Sequence, residues 1–170
     1  MFLQALGPYL HHRAERGLVD DEYAYGRAAL LHYARWMAEH EYPYLDKPEK
    51  LEFPTETWAA QDIRKSDIFY FAAMHADGEE RARFIERGGF FHRNSVESLA
   101  AMPTRTLARP VIVMLTSGFM DGWFRAQTAA SEPRPVSSLS FGAPVTFVPQ
   151  KAIAMRRAKL LAAAMAVGGL

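Results

Sequence analysis

Cysteine is absent from the 170 residues. Disulfides, thiolate metal sites and a cysteine nucleophile are therefore excluded. No uninterrupted apolar run reaches the length of a complete membrane-spanning helix. Neither sign of charge is in excess, since 20 Lys+Arg face 19 Asp+Glu for a formal net charge of +1. With 49% hydrophobic residues, that balance excludes a disordered chain, which needs low hydrophobicity and high net charge. Gly-x-x-x-x-Gly-Lys, Gly-x-Gly-x-x-Gly and Gly-x-Ser-x-Gly are all missing, and Thr116-Ser117-Gly118 is no nucleophile elbow. His-Glu-x-x-His is missing too. The histidines at 11, 12, 32, 40, 75 and 92 make no metal signature, although His32 and His40 would align over two helical turns. The reading is no metal and no cofactor.

What is present is an ordinary globular composition with an uneven charge map. Residues 1–130 hold 15 basic and 18 acidic side chains, whereas residues 131–170 hold five basic and one acidic. The body lacks the clustered positive surface that phosphate neutralisation requires, so nucleic acid is not an expected partner. The length suits one main domain able to bury about two-thirds of its unfolded surface. The start, Met1-Phe2-Leu3, has no basic n-region of a signal peptide. The location is left open by this, with cytoplasmic and membrane-associated both compatible, and so abrupt a start also fits a piece of a longer protein.

Hydrophobic spacing predicts helices throughout the body. The first spans about 2–16 and stops at Gly17. The second follows Asp20-Asp21, which offer N-caps, and runs to about His40. Its predicted inward face is Tyr23, Gly26, Leu30, Tyr33, Met37 and His40, widened by Trp36. Three prolines between 42 and 56 predict an extended connection. A helix from Thr55 or Thr57 to about His75 follows. Its half Ile68–Met74 is apolar all round, which predicts burial on more than one face, with a buried strand as the competing reading. Asp77 and Glu80 predict a capping box for a helix over 79–101, with Ala82, Ile85, Gly89, Val96 and Leu99 inward. Gly88-Gly89 in its middle marks a kink or a close backbone approach. One more helix is predicted over about 110–127. Residues 131–150 read as a Pro/Ser-rich linker or small hairpin, and 151–170 as a helix that is basic first and apolar afterwards.

The expected fold is therefore all-α, built of antiparallel helical hairpins, 2–16 with 20–40 and 57–76 with 79–101. Hairpin spacing, aromatic helix faces and the segment from Leu51 to Lys65 (LEFPTETWAAQDIRK) resemble the α/α-toroid group, the six-hairpin glycosidase-like proteins. The resemblance implies a carbohydrate-processing cleft fed by long loops. A closed toroid has about twelve helices and this chain offers five or six. The resemblance thus implies the C-terminal part of a longer protein, or an open array.

Glu56, Trp58, Asp62 and Arg64 are the best chemical cluster in the sequence. Glycoside chemistry uses two carboxyl groups across one bond, a role open to Glu56 and Asp62. Trp58 would be a flat platform for a sugar, one turn from Asp62, with Arg64 completing substrate binding. A plainer reading stands beside it: Glu56 favours the helix dipole, Trp58 is core, and Asp62 pairs with Lys65 or Ser66. Arg81, Arg83, Arg87 and Arg93 are interleaved with Glu79, Glu80, Glu86 and Glu97, which reads as a solvated, salt-bridged face. Two functions remain. One is a glycosidase-like domain acting on carbohydrate. The other is a non-catalytic helical interaction module, held at a membrane by residues 151–170.

Overall fold

Helix α1 (Phe2–Glu15) ends where Gly17 takes a positive φ of 70°, the left-handed stop that glycine adopts without penalty. Asp20 then caps α2 (Asp21–His40), accepting a 3.0 Å hydrogen bond from the Tyr23 amide. These features come from a computed structural model that describes residues 2–104, 106–128 and 148–168. The chain divides into two units, residues 1–139 and 140–170.

In the first unit the 42–56 connection is not simply extended. It holds two 3-10 turns, Tyr44–Asp46 and Pro48–Lys50, the second opened by a proline whose fixed φ suits a first helical position. The helix predicted over 57–76 is broken into α3 (Glu56–Gln61) and α4 (Ile63–Ala73). The break is at Asp62, whose carbonyl accepts the Lys65 amide in a tightened i+3 bond. Next come α5 (Gly78–Ala101), α6 (Ala108–Ser117) and α7 (Met120–Thr128). The single helix expected at 110–127 is thus two, parted at Gly118-Phe119. Asp77 is at the N-cap of α5 but makes no side-chain cap bond, so the predicted capping box does not form.

The fold is all-α, with no strand among the described residues. Short turns join α1 to α2 and α4 to α5, and both pairs pack against each other as expected. Helix α4 is the centre. Every residue from Lys65 to Ala73 is buried, and the helix packs against α1, α2, α5, α6 and α7. An all-round apolar helix can be satisfied only in this way. Phe69 stacks on Phe91 of α5 with centroids 5.9 Å apart, and Tyr70 stacks on Phe124 of α7 at 4.6 Å. Gly88 marks a close approach. A Cβ there would lie 2.8 Å from the Tyr70 ring, and only glycine lets the two helices meet so closely.

Two predicted faces are rotated. On α2 the core takes Leu31 and Ala34 with Leu30, while Tyr33 and Trp36 are exposed. Trp36 instead stacks on His40 at 4.7 Å. On α5 the buried residues are Phe84, Gly88, Gly89, Phe91 and Ser95, and Ala82 and Val96 are exposed. On α5, Phe84 and Phe91 take the interface from smaller residues because large aromatics bury the most area, whereas on α2 Leu30, Leu31 and Ala34 let the neighbouring helix approach closely.

In the second unit, Gln150–Gly168 forms helix α8. The strand candidates at 138–141 and 145–148 lie outside the described residues, apart from Val148.

Candidate functional site

Helix α4 carries two acid–base pairs spaced three residues apart, Asp62 with Lys65 and Arg64 with Asp67. Alternate positions on a helix point to different sides, so the two pairs meet different surroundings.

The first pair is closed. Lys65 is 5% exposed, and its Nζ lies 3.0 Å from Asp62 Oδ1 and 2.9 Å from Glu41 Oε2. It also donates to the Tyr42 carbonyl at 2.6 Å and sits 3.6 Å from the centroid of the Tyr44 ring. Asp62, 1% exposed, accepts the Tyr44 amide at 3.1 Å. Burial pushes the Asp62 carboxyl above its ordinary range, and Lys65 pulls it part of the way back. Every partner in this knot is intramolecular. It pins the 42–46 segment to α4.

The second pair is open. Asp67 is 7% exposed and its Oδ1 has no hydrogen-bond partner. Arg64 gives Nη1 to Gln61 Oε1 at 2.7 Å. Both side chains line a cleft of about 480 Å³ between α1, α4 and the α6–α7 corner. Gln4 and Pro8 of α1 form one wall, and Thr116 and Ser117 of α6 another. Phe71 and Phe119 supply apolar surface. Pro8 has no amide hydrogen, so the Gln4 carbonyl lacks its usual helical donor. Burial drives the Asp67 carboxyl up to about 7, opposed by the Ser117 hydroxyl and then by the Arg64 charge. A carboxyl so placed changes protonation at neutral pH. Such groups in a cleft are where proton transfer or charge recognition is found.

The four residues singled out from the sequence are dispersed. Asp62 is in the knot, and the Asp62–Lys65 pairing of the plainer reading is present. The Asp62 amide donates to the Trp58 carbonyl at 3.3 Å, but the Trp58 side chain packs on Tyr44, whose ring lies 5.1 Å from the indole, and its Nε1 donates to the Phe53 carbonyl at 2.8 Å. Its exposed side lines a pocket of about 250 Å³ with Phe53, Gln61 and Arg109. Glu56 borders a different pocket, about 330 Å³ and walled by Leu99, Leu107, Val111 and Met114. Arg64 alone lines the cleft. The α5 arginines serve packing: Arg81 donates to the Ala73 carbonyl, Arg87 to the Glu41 carbonyl, and Arg83 faces Glu39 at 3.6 Å. No group of three or more His, Cys, Asp or Glu able to hold a metal occurs among the described residues.

Asp67 and Ser117 were missed from the sequence. One signal was available: a carboxylate at the edge of the apolar stretch Ile68–Met74 must, if buried with it, be either paired or functional. Ser117 had no signal, because only the packing of α6 brings it to Asp67. Compared with known proteins, the chain shows no match to a family model, a curated protein or a solved structure.

Proposed function

We propose that the body is a small-molecule-binding helical domain whose working group is Asp67, exchanging a proton near neutral pH at the wall of the α1–α4–α6 cleft. One observation carries this reading: Asp67, whose buried Oδ1 has no hydrogen-bond partner, is a lining residue of a cavity of about 480 Å³. Burying a charge is costly unless something pairs with it, and here the cavity is where the pairing group would enter.

Carbohydrate is one ligand class compatible with the hydroxyls and phenyl faces of this cleft. The two-carboxylate chemistry expected of a glycosidase-like domain would need Glu56 and Asp62 to face one glycosidic bond. The commitment of Asp62 to Lys65 and the Tyr44 amide argues for the cleft instead. With Asp67 as the one carboxyl in the cleft wall among the described residues, binding or single-group proton transfer is the better-supported chemistry.

The test is a ¹³C carboxyl NMR titration of the whole chain. The Asp67 resonance should titrate near pH 7. A midpoint near 4 would remove the basis of the proposal.

A second reading concerns α8. Lys151, Arg156, Arg157 and Lys159 occupy its first half with no acidic residue in the helix, while exposed Leu160, Leu161 and Met165 follow. No helix among the described residues is long and apolar enough to cross a membrane. The cations nevertheless support attachment to an anionic lipid surface. The intact chain should float with vesicles containing phosphatidylserine, and a chain lacking residues 151–170 should not.

A further inference from the structure

Arg64 and Asp67 are one turn apart on α4 and line the same cleft. Side chains at that spacing are neighbours, with Cβ atoms about 5–6 Å apart. An ion pair is within their reach, yet none joins them among the described residues, and Asp67 Oδ1 stays unpartnered. Gln61 engages one nitrogen of the guanidinium, which leaves further donors of its fork.

From this juxtaposition, and resting on the reading of the cleft given above, we infer that the ligand is a small zwitterion of the α-amino acid class, with its ammonium on Asp67 and its carboxylate on Arg64.

The charges select this class by elimination. A simple anion on Arg64 would be brought close to the Asp67 carboxylate and would raise the cost of its charge. A simple amine on Asp67 would meet the Arg64 cation. A neutral polyol could satisfy hydrogen bonds but would neutralise neither charge. A zwitterion with adjacent ammonium and carboxylate compensates both at once, in the short spacing that one helical turn sets. Additional acceptors for the ammonium are the Ser117 and Thr116 hydroxyls. Phe71, Phe119 and Met120 form an apolar surface, which favours an apolar side chain on the ligand.

Binding also moves a proton. Across from Asp67, α1 brings Gln4, Ala5 and Pro8 to the cleft, and α6 brings Thr116 and Ser117. Among the described residues, Arg64 is the other ionisable group in the lining. His11 of α1 packs its ring 6.4 Å from the cleft residue Phe71 and pairs with Glu15. An arriving ammonium favours the ionised form of Asp67. With that group half protonated near pH 7, complex formation should release about half a proton.

The experiment is calorimetry and amide NMR on the whole chain with four probes: phenylalanine, phenethylamine, 3-phenylpropionate and glucose. Phenylalanine should bind, with shifts confined to the cleft, and the amine and the acid should each bind at least about tenfold more weakly. Its apparent enthalpy should depend on the ionisation enthalpy of the buffer at pH 7, and this dependence should vanish in Asp67→Asn. Arg64→Gln should weaken phenylalanine about tenfold while leaving phenethylamine no weaker, a split that a folding defect would not produce. Equal binding of amine and amino acid overturns the inference. Glucose binding in the cleft without phenylalanine binding overturns it too, but upholds the cleft as a ligand site. No binding by any probe, with Asp67 still titrating near 7, overturns the zwitterion alone. If Asp67 titrates near 4, both proposals fall.

Discussion

Asp62–Lys65 and Arg64–Asp67 each set one acid and one base three residues apart at the start of α4, yet only the first closes into an ion pair. The difference lies in what each pair faces. On one side, the 42–46 segment brings the Tyr42 carbonyl, the Tyr44 amide and the Tyr44 ring onto the knot. On the other, α1 and α6 stand apart and leave a cleft. Order along the chain matters as well. The acid precedes the base in the closed pair and follows it in the open one, and acid-first pairs suit the helix dipole better. A buried charge wrapped by its own protein fixes structure. A buried charge wrapped on one side only is held ready for something else.

The largest expected effect comes from breaking the closed pair. Lys65→Met leaves Asp62 and Glu41 without their cation and should lose about 3–5 kcal/mol, read as a lower urea midpoint. Removing the open pair's acid should do the opposite. The Asp67 carboxyl titrates higher in the folded state, at about 7, than in an unfolded chain. The folded state therefore binds this proton more tightly, and stability falls as pH rises from about 4 to about 7. Asp67→Asn should remove that slope and be more stable than the parent at pH 8, by at most about 4 kcal/mol, with the advantage gone at pH 4. Thermal melts of the two proteins across this range check the sign. If the parent gains stability over that interval relative to the variant, the open pair is not open.

A smaller effect concerns the packing that holds both pairs in place. Gly88→Ala drives a methyl into the Tyr70 ring and should cost about 1–2 kcal/mol by denaturant titration, even though alanine favours helix. The smallest effect sharpens the comparison most. Gln61→Ala releases the Arg64 guanidinium and lets it swing toward Asp67. The Asp67 midpoint should then drop by about one pH unit in the NMR titration. An unchanged midpoint would mean that Gln61 does not hold the pair apart.

Much of this was legible in the sequence. The two hairpins followed from helical spacing and short turns, the Gly17 stop and the Asp20 cap from local chemistry, and the burial of α4 from its uniform apolarity. The Asp62–Lys65 pair was legible too, since three residues on a helix bring side chains together whatever the fold. The breaks at Asp62 and Gly118 were not, because neither carries a proline and each depends on local hydrogen bonding. Nor was the rotation of α2 and α5. Tyr33, Trp36 and Val96 lie on a wide apolar stripe, and spacing alone does not say which edge of a stripe meets a partner. The candidate site was read at Glu56, Trp58, Asp62 and Arg64, and Arg64 alone of these lines the cleft.

The sequence by itself determined where helices form, which neighbours fold back on one another, and that one helix must be enclosed. Those properties depend on contacts within a few residues or across a short turn, and the 3.6-residue repeat records them. Only the tertiary structure decided which charge on that helix is neutralised and which is left facing space. Tyr42 and Tyr44 reach α4 from 23 and 18 residues earlier, and Ser117 comes from another helix altogether. What stands opposite a side chain across such separations is set by how whole helices pack, and helical periodicity does not encode it.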